Sequence, residues 1–345
     1  MNRPTQAGTV CGARQRAGWP GLWLALLACS ALILAAPPLR AEPLVGVLHG
    51  AQPDGSTRFI ADLGAVWSAN PQGPGSALVG VRVAAPRQRL KGLLWGRGQF
   101  AVLDAGSAYR LRDEFPDVAA VSVLWPTVLQ VLTHGGEAQP LRSLPAAPLA
   151  YLAGAMDAVQ GLIAPPTPGV PASGGPVPGG TLPPQRSAPP ATPLPAPIAP
   201  DQVPQLLTQG VPWLVVQLPA PTLEIVQALQ RDPAWQLLSL APATLDALRA
   251  SRPWLQALTL PRGSYPNQRE AVNTVAEPLL LLAPNALPDD QVLRMLDCLY
   301  QHRDAVAAFD PLFAAIDRRS NAAVAKWMPF HPAAAKQLGL TAPSS

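Results

Sequence analysis

The chain has 345 residues, with 25 Lys or Arg against 21 Asp or Glu and a formal net charge of +4. Arg3, Arg14, Arg16 and Arg40 are the only charged residues before Glu42, so the chain beyond them is formally neutral. A nucleic-acid-binding protein needs a basic surface that displaces counterions from phosphates, and this balance argues against that class.

The N-terminus has the features of a secretory signal. Basic residues precede the apolar run Leu22–Ala36, and Leu39-Arg40-Ala41 offers a small residue at a cleavage point. A membrane span needs roughly 20 apolar residues, and this run is shorter. We therefore predict a cleaved signal over residues 1–41 and a periplasmic location. Leu26-Leu27-Ala28-Cys29 also resembles a lipobox, which leaves a lipoprotein anchored at Cys29 as the alternative.

Strand and helix periods alternate from residue 44 to residue 132. A helix that Asp54 can cap carries Phe59, Leu63 and Val66 on one face. Two further helices are predicted at Arg87–Trp95 and Ser107–Phe115. The predicted strands are Leu44–Leu48, Ala77–Val83, Phe100–Leu103, Val118–Leu124 and Val128–Leu132.

A proline-rich segment interrupts this alternation. Residues 164–200 contain 14 prolines and a single charge, Arg186. Such a stretch buries little apolar area against its ordering cost, so we predict an extended, disordered linker. The alternative is a proline-rich ligand for a partner's groove.

The alternation resumes after the linker. We predict helices at Pro204–Gln209, Thr222–Gln230, Ala243–Ala250 and Pro288–His302, and strands at Trp213–Leu218, Trp235–Leu240 and Val275–Leu282. Strands separated by helices imply mostly parallel sheets with helical faces. The fold class is therefore α/β, with two lobes, the second of which the linker interrupts.

Signatures of catalysis and metal binding are missing from the sequence. His49, His134, His302 and His331 lie far apart, and Cys298 is the one cysteine beyond the signal. No Gly-x-Ser-x-Gly elbow, dinucleotide fingerprint or phosphate loop occurs. We therefore predict a protein that is not an enzyme and has no metal or cofactor.

The most informative polar stretch is LPRGSYPNQREAVNTVAEPLLLLA, residues 260–283. A polar turn here leads directly into an apolar strand. Open α/β sheets bind ligands at strand ends, so this turn is a candidate site. Gly263 and Pro266-Asn267 are equally typical of an ordinary surface turn.

The segment GSYPNQREAVNTVAEPLLLLAPNALPDDQVLRMLDCLYQHRDAV, residues 263–306, resembles TAXI-type solute-binding proteins of tripartite ATP-independent periplasmic (TRAP) transporters. Tyr265-Pro266-Asn267-Gln268 matches their Tyr-Pro-Gly-Gln turn except for asparagine at the glycine position. Thr274-Val275-Ala276, Leu287-Pro288-Asp289-Asp290 and His331-Pro332 follow in the expected order. LVVQLPAPTLEIVQALQRD and GRGQFAVLDAGSAYRLR also resemble family segments.

The resemblance implies a type II periplasmic-binding-protein-like fold whose two lobes close on a small solute. Lobe 1 would comprise residues 42–133 and 279–345, and lobe 2 residues 134–278. The polar turn would line or buttress the cleft between them. Hydrogen bonds to the solute would come from Ser56, Thr57, Ser107, Tyr109, Tyr265 and Gln268. For Tyr109, a core aromatic residue is the alternative.

The family's function is to deliver an amino acid or other carboxylate to membrane permease subunits. Two departures bear on that expectation. Asp104-Ala105-Gly106-Ser107 replaces the family's Gln-Ser-Asp before Ala-Tyr, so Asp104 would repel an anionic solute. The second lobe's anion-binding loop falls where the linker begins. The alternative function is therefore a divergent, non-transporting envelope protein that uses the same fold for sensing or protein interaction.

Overall fold

The computed structural model describes residues 44–50, 55–69, 76–135, 140–144, 149–151, 159–160, 162, 202–209, 211–307 and 315–340. The predicted signal, Asp54 and the proline-rich segment lie outside these ranges. Within them, no helix is both long and apolar enough to cross a membrane. The chain from Pro43 to Ser345 forms one compact unit.

Strands and helices alternate at the start of the fold, much as the hydrophobic periods predict. The elements are β1 (Leu44–His49), α1 (Ser56–Ala69), β2 (Ala77–Arg82), α2 (Pro86–Leu94), β3 (Phe100–Asp104) and α3 (Ala105–Leu111). Helix α1 buries Phe59, Leu63 and Val66, the face that its spacing predicts. Asp104 caps α3, since its Oδ1 accepts the backbone N–H of Ser107 at 2.7 Å.

The next strand corrects one prediction. Val118–Leu124 and Val128–Leu132, predicted as two strands, are parts of one 17-residue strand, β4 (Val118–His134). The intervening Trp125-Pro126 does not end the strand, because the register with its neighbour shifts between Val123 and Pro126. Such an irregularity accommodates a residue that has no N–H to donate.

The remaining elements follow β4 in chain order. They are β5 (Ala150–Tyr151), α4 (Val203–Thr208), β6 (Trp213–Leu218), α5 (Leu223–Arg231), β7 (Trp235–Leu237), α6 (Pro242–Ser251), β8 (Gln256–Leu260), β9 (Val272–Pro284), α7 (Asp289–Tyr300), α8 (Arg303–Ala307), α9 (Ser320–Val324) and α10 (Pro332–Leu338). Strand β8 has no counterpart among the predicted elements. Its alternating burial leaves it with a weak apolar signal.

The nine strands found among the described residues join one sheet in the order β2-β1-β3-β9-β4-β6-β5, with β7 paired to β4 and β8 to β9. The pairs β1–β2, β1–β3 and β5–β6 are parallel. Every described pairing of β4 and β9 with another strand is antiparallel. The predicted α/β fold with flanking helices is confirmed, but the sheet is mixed rather than mostly parallel, because two long strands run against their neighbours.

The central strands β3, β4 and β9 carry the core on both faces. Leu103, Ala120 and Leu280 pack with α2 and α3 on one side, whereas Val121 and Leu281 pack with α1 and α7 on the other. A third cluster surrounds β6, α5 and β7 and includes Tyr265. The predicted lobe boundaries after Thr133 and after Pro278 fall within β4 and β9 themselves. The division into lobes remains a prediction.

Candidate functional site

The hairpin loop, residues 261–271 between β8 and β9, is held by its own polar groups. Gln268 Oε1 accepts the backbone N–H of Tyr265 at 3.1 Å. Its Nε2 donates to the carbonyls of Leu260, Pro261 and Glu270 at 3.3, 3.0 and 2.9 Å. These contacts occupy the side-chain amide of Gln268, so this predicted ligand-binding residue shapes the loop.

Asn267 explains one departure from the family motif. Its φ of 63° lies in the left-handed region, where glycine is favoured and asparagine is the commonest substitute. Its Nδ2 also donates to the carbonyl of Leu229 at 2.8 Å. The asparagine therefore preserves the turn that glycine would make and adds a bond to the end of α5.

Tyr265 anchors the loop to the sheet. Its ring is buried, and its hydroxyl donates to Gln130 Oε1 at 2.5 Å. The hydroxyl oxygen of Tyr265 also accepts the backbone N–H of Thr222 at 3.2 Å. Burial raises the pKa of Tyr265, although the bond from Thr222 opposes that rise.

A cavity of about 570 Å³ lies beside the hairpin loop, and we call it the hairpin cavity. Its walls are Leu229, Pro233 and residues 235–239 on one side and residues 265–272 on the other. Both sides belong to the predicted lobe 2. Of the six predicted site residues, only Tyr265 and Gln268 line it.

The hairpin cavity combines a hydrophobic base with charged groups. Trp235, Tyr265 and Val272 are buried in its wall. Arg269 and Glu270 are exposed neighbours of opposite charge in the same wall. Neither side chain forms an ion pair with another described residue. A cavity with apolar surface and a few convergent polar groups is the usual form of a small-molecule site.

The other four predicted residues gather at a different place, the strand-end group. It comprises Ser56, Thr57, Ser107 and Tyr109. Strands β1 and β3 are parallel, so the helices that follow them begin at the same sheet edge. Ser56 is buried there, and exposed Thr57 has its Oγ1 3.4 Å from His49 Nδ1.

Contacts within the protein already occupy part of the strand-end group. The N–H of Ser107 bonds Asp104, and its Oγ accepts from Arg110 at 3.5 Å. The Tyr109 ring packs against Trp254 and Trp327, with centroids 5.0 and 5.6 Å apart. Its environment is that of an aromatic residue packed against the core.

Glu277 and Trp254, which the sequence analysis missed, lie beside α3. Glu277 is buried, and its Oε1 accepts the N–H of Gly106 at 2.6 Å. Its Oε2 accepts from Gln217 Nε2, and its carbonyl accepts from Thr127 Oγ1 at 3.1 Å. A Cβ on Gly106 would lie 2.8 Å from both Glu277 Oε1 and Trp254 Nε1. The signal for Glu277 was its place as the one charged residue in β9, whose sequence is mostly apolar.

Glu277 connects elements that are distant in sequence. Gly106 belongs to α3 and the predicted lobe 1, whereas Gln217 belongs to β6 and the predicted lobe 2. In an α/β sheet, helix N-termini at strand ends are where acidic ligand groups bind. At the start of α3, the protein's own Glu277 carboxylate accepts the backbone N–H of Gly106.

Comparison with known proteins gives a family match to part of the chain. Residues 199–338 match the model of the NMT1-like family, and this segment contains the whole hairpin loop. No curated protein matches the chain.

Solved structures resemble the fold at low sequence identity. The periplasmic aliphatic sulphonate-binding protein SsuA from Escherichia coli is 14% identical, with a TM-score of 0.41 over 87% of this chain and 80% of that chain. A TRAP periplasmic solute-binding protein from Bordetella bronchispeptica is 12% identical, with a TM-score of 0.38 over 88% of each chain. OxyR from Corynebacterium glutamicum is 11% identical, with a TM-score of 0.36 over 84% and 75%. The likeness concerns the mixed α/β sheet and its flanking helices.

Proposed function

We propose that this protein is a periplasmic solute-binding protein that holds a small zwitterionic or carboxylate solute in the hairpin cavity. The observation that carries the proposal is the position of that cavity. Its walls contain the Tyr265-Pro266-Asn267-Gln268 turn that resembles the TAXI motif. The family match over residues 199–338 supports it, since that segment includes the turn.

The charges in the cavity wall suggest the class of solute. Arg269 presents a planar guanidinium that bonds a carboxylate through two parallel N–H groups. Glu270 offers acceptors to an ammonium group. An amino acid carries both groups on a small frame. The volume of about 570 Å³ is within the range of ligand pockets.

The finer role extends the same proposal. The protein would be secreted through the signal over residues 1–41 and would deliver its solute to the membrane permease subunits of a TRAP transporter, as a divergent TAXI-type receptor. Lipidation at Cys29 would keep it on the membrane instead. Cross-linking to the permease subunits of a TRAP transporter in cells of its host would test this role.

Ligand screening tests the binding function directly. Processed protein is heated with individual amino acids and dicarboxylates, and a true ligand at 100 times its Kd should add about 2.7 kcal/mol of stability. Arg269→Ala and Glu270→Ala should each weaken that ligand's binding at least about tenfold. Arg262→Ala, which removes an exposed arginine of the same loop outside the cavity wall, is the matched control.

Two results would count against a solute in the hairpin cavity. One is no stabilisation across a broad panel, together with no small molecule in native mass spectra of protein purified from its host. The other is binding that survives both cavity variants but is lost in Ser107→Ala, which would move the site to the strand-end group.

One observation favours a second candidate function. Trp254 packs on Tyr109, and Glu277 takes the N–H of Gly106. These contacts fill positions where the family resemblance expects solute. A non-transporting envelope protein that uses the fold for sensing or protein interaction has no need of that site. Binding of a protein partner without any small-molecule ligand would favour this candidate.

A further inference from the structure

An exposed apolar corner lies at the end of α2, away from the hairpin cavity. Trp95 is 66% exposed and Leu94 is 42% exposed. They precede Gly96, whose φ of 70° closes the helix. Gly96 N–H donates to Leu93 O at 3.0 Å and Arg97 N–H to Gly92 O at 2.9 Å, the two bonds of a Schellman motif. The fixed turn therefore holds Trp95 at the surface.

Leu44 lies at the same end of the sheet. Residue 99 follows the turn and pairs with β1, since Gln99 N–H donates to Gly46 O at 2.9 Å and Gln99 Oε1 accepts Gly46 N–H at 2.6 Å. Leu44 begins β1 two residues before Gly46 and is 62% exposed. Three of the five large hydrophobic residues most exposed among the described residues thus lie at one end of β1 and α2. Grouped exposure of this kind marks an interaction surface.

The α2 side of this corner carries basic residues. From Pro86 to Arg97 the chain has four basic residues and no acidic one. Arg87 bonds Glu114 at 2.7 Å, and Arg89 is buried against the carbonyl of Val102. Lys91 and Arg97 are the cations near the corner, and the Arg97 guanidinium lies 5.4 Å from the Trp95 ring centroid.

These features match the interface of a phospholipid bilayer. Tryptophan is enriched at the level of the headgroups, where its ring is partly apolar and its N–H stays hydrated. Basic side chains around exposed leucine and tryptophan attract anionic headgroups.

We propose that the face formed by Leu44, Leu94, Trp95 and Arg97 rests on the lipid surface of the membrane. The contact is peripheral, since three apolar side chains insert and none spans the bilayer. The face lies outside the hairpin cavity, so membrane contact does not depend on solute binding.

Vesicle flotation tests the proposal. The chain from Pro43 onward, which forms a compact unit by itself, is mixed with phosphatidylcholine vesicles with or without phosphatidylglycerol. We expect binding to the anionic vesicles. Leu94→Gln combined with Trp95→Ser should lower the partition coefficient at least about tenfold, because each large apolar side chain shifts such an equilibrium by about that factor.

Further variants separate the contributions. Arg97→Gln should weaken binding to the anionic vesicles and have little effect on any binding to phosphatidylcholine alone. Leu293→Gln is the matched control, since Leu293 is 40% exposed on α7 and should leave binding unchanged. Urea midpoints equal to that of the parent chain show that each variant is folded.

Three results would overturn the proposal. The parent chain does not bind vesicles of either composition; Leu293→Gln lowers binding as much as the double variant; or the parent chain ignores vesicles but forms a dimer that the double variant abolishes. The last result would assign the face to a second copy of the chain.

Discussion

Glu277 should contribute strongly to stability, because its carboxylate bonds both the N–H of Gly106 in α3 and the side chain of Gln217 in β6. Glu277→Ala removes the acceptor of the Gly106 N–H, which lies 2.6 Å away, and the acceptor of Gln217 Nε2. The orphaned, buried N–H of Gly106 costs about 1–3 kcal/mol. Gln217 is only partly buried and its Nε2 keeps a contact with Thr127 Oγ1 at 3.4 Å, so the loss there is smaller. The free energy of unfolding should therefore fall by about 2–4 kcal/mol. Glu277→Gln keeps one acceptor, and rotation of the Gln217 amide restores the second bond, so its cost should be about 1–2 kcal/mol.

Urea unfolding measures these differences as shifts in the midpoint at constant slope. Glu270→Ala is the control, because it removes an exposed glutamate of the adjacent loop and should change stability by less than about 0.5 kcal/mol. Hydrogen exchange adds a local measurement, since the Gly106 amide should exchange faster in Glu277→Ala than in the control. A Glu277→Ala protein as stable as the control, with an unchanged Gly106 exchange rate, would refute the reasoning.

Four substitutions at three other positions give further expectations. Asn267→Gly loses the bond to Leu229 and should lower the free energy of unfolding by about 1 kcal/mol. Asn267→Ala loses the same bond and adds about 1–2 kcal/mol of strain from the left-handed backbone. Equal urea midpoints for the two variants would contradict this. Tyr265→Phe should cost about 1–3 kcal/mol at neutral pH. Because burial raises the pKa of Tyr265, the stability that its neutral form contributes is present below about pH 10 and is lost as pH rises further. Melting curves recorded against pH should therefore show that Tyr265→Phe loses less stability at alkaline pH than the parent protein does. A hydrogen bond from the Ala234 N–H, and after it one from His134, lower the pKa of Asp232. The stability that the Asp232 carboxylate contributes is therefore lost only as pH falls below about 4. Asp232→Asn should flatten that part of the curve of stability against pH.

Local periodicity predicted most elements of the fold, because each one shows its buried face in its own sequence. The predicted strand Trp213–Leu218 has the bounds of β6, and the predicted helix Arg87–Trp95 differs from α2 by one residue at each end. Strand directions had no such local signal. Strand β9 lies between β3 and β4, and its antiparallel pairing joins residues as distant as Leu103 and Leu280. Only the assembled sheet specifies that arrangement.

The hairpin loop was predictable as a candidate site because its motif is contiguous. Tyr265 and Gln268 both line the hairpin cavity, although their polar groups serve the loop itself. The contacts of Gly106 and Tyr109 were not predictable. Trp254 reaches Tyr109 from a distant part of the sequence, and Glu277 bonds Gly106 across 171 residues. No local pattern reveals which side chain will fill a neighbour's site.

The two candidate places differ in what a solute must displace. At the strand-end group, a ligand would have to remove Trp254 from Tyr109 or Glu277 from Gly106, and part of its binding energy would offset those losses. In the hairpin cavity, Arg269 and Glu270 have no ion-pair partner among the described residues to displace. Both walls of the cavity also lie in the predicted lobe 2, so binding there does not require one lobe to close on the other. We therefore expect X-ray scattering to give the same radius of gyration with and without solute, whereas a decrease on binding would indicate hinge closure and a ligand between the lobes.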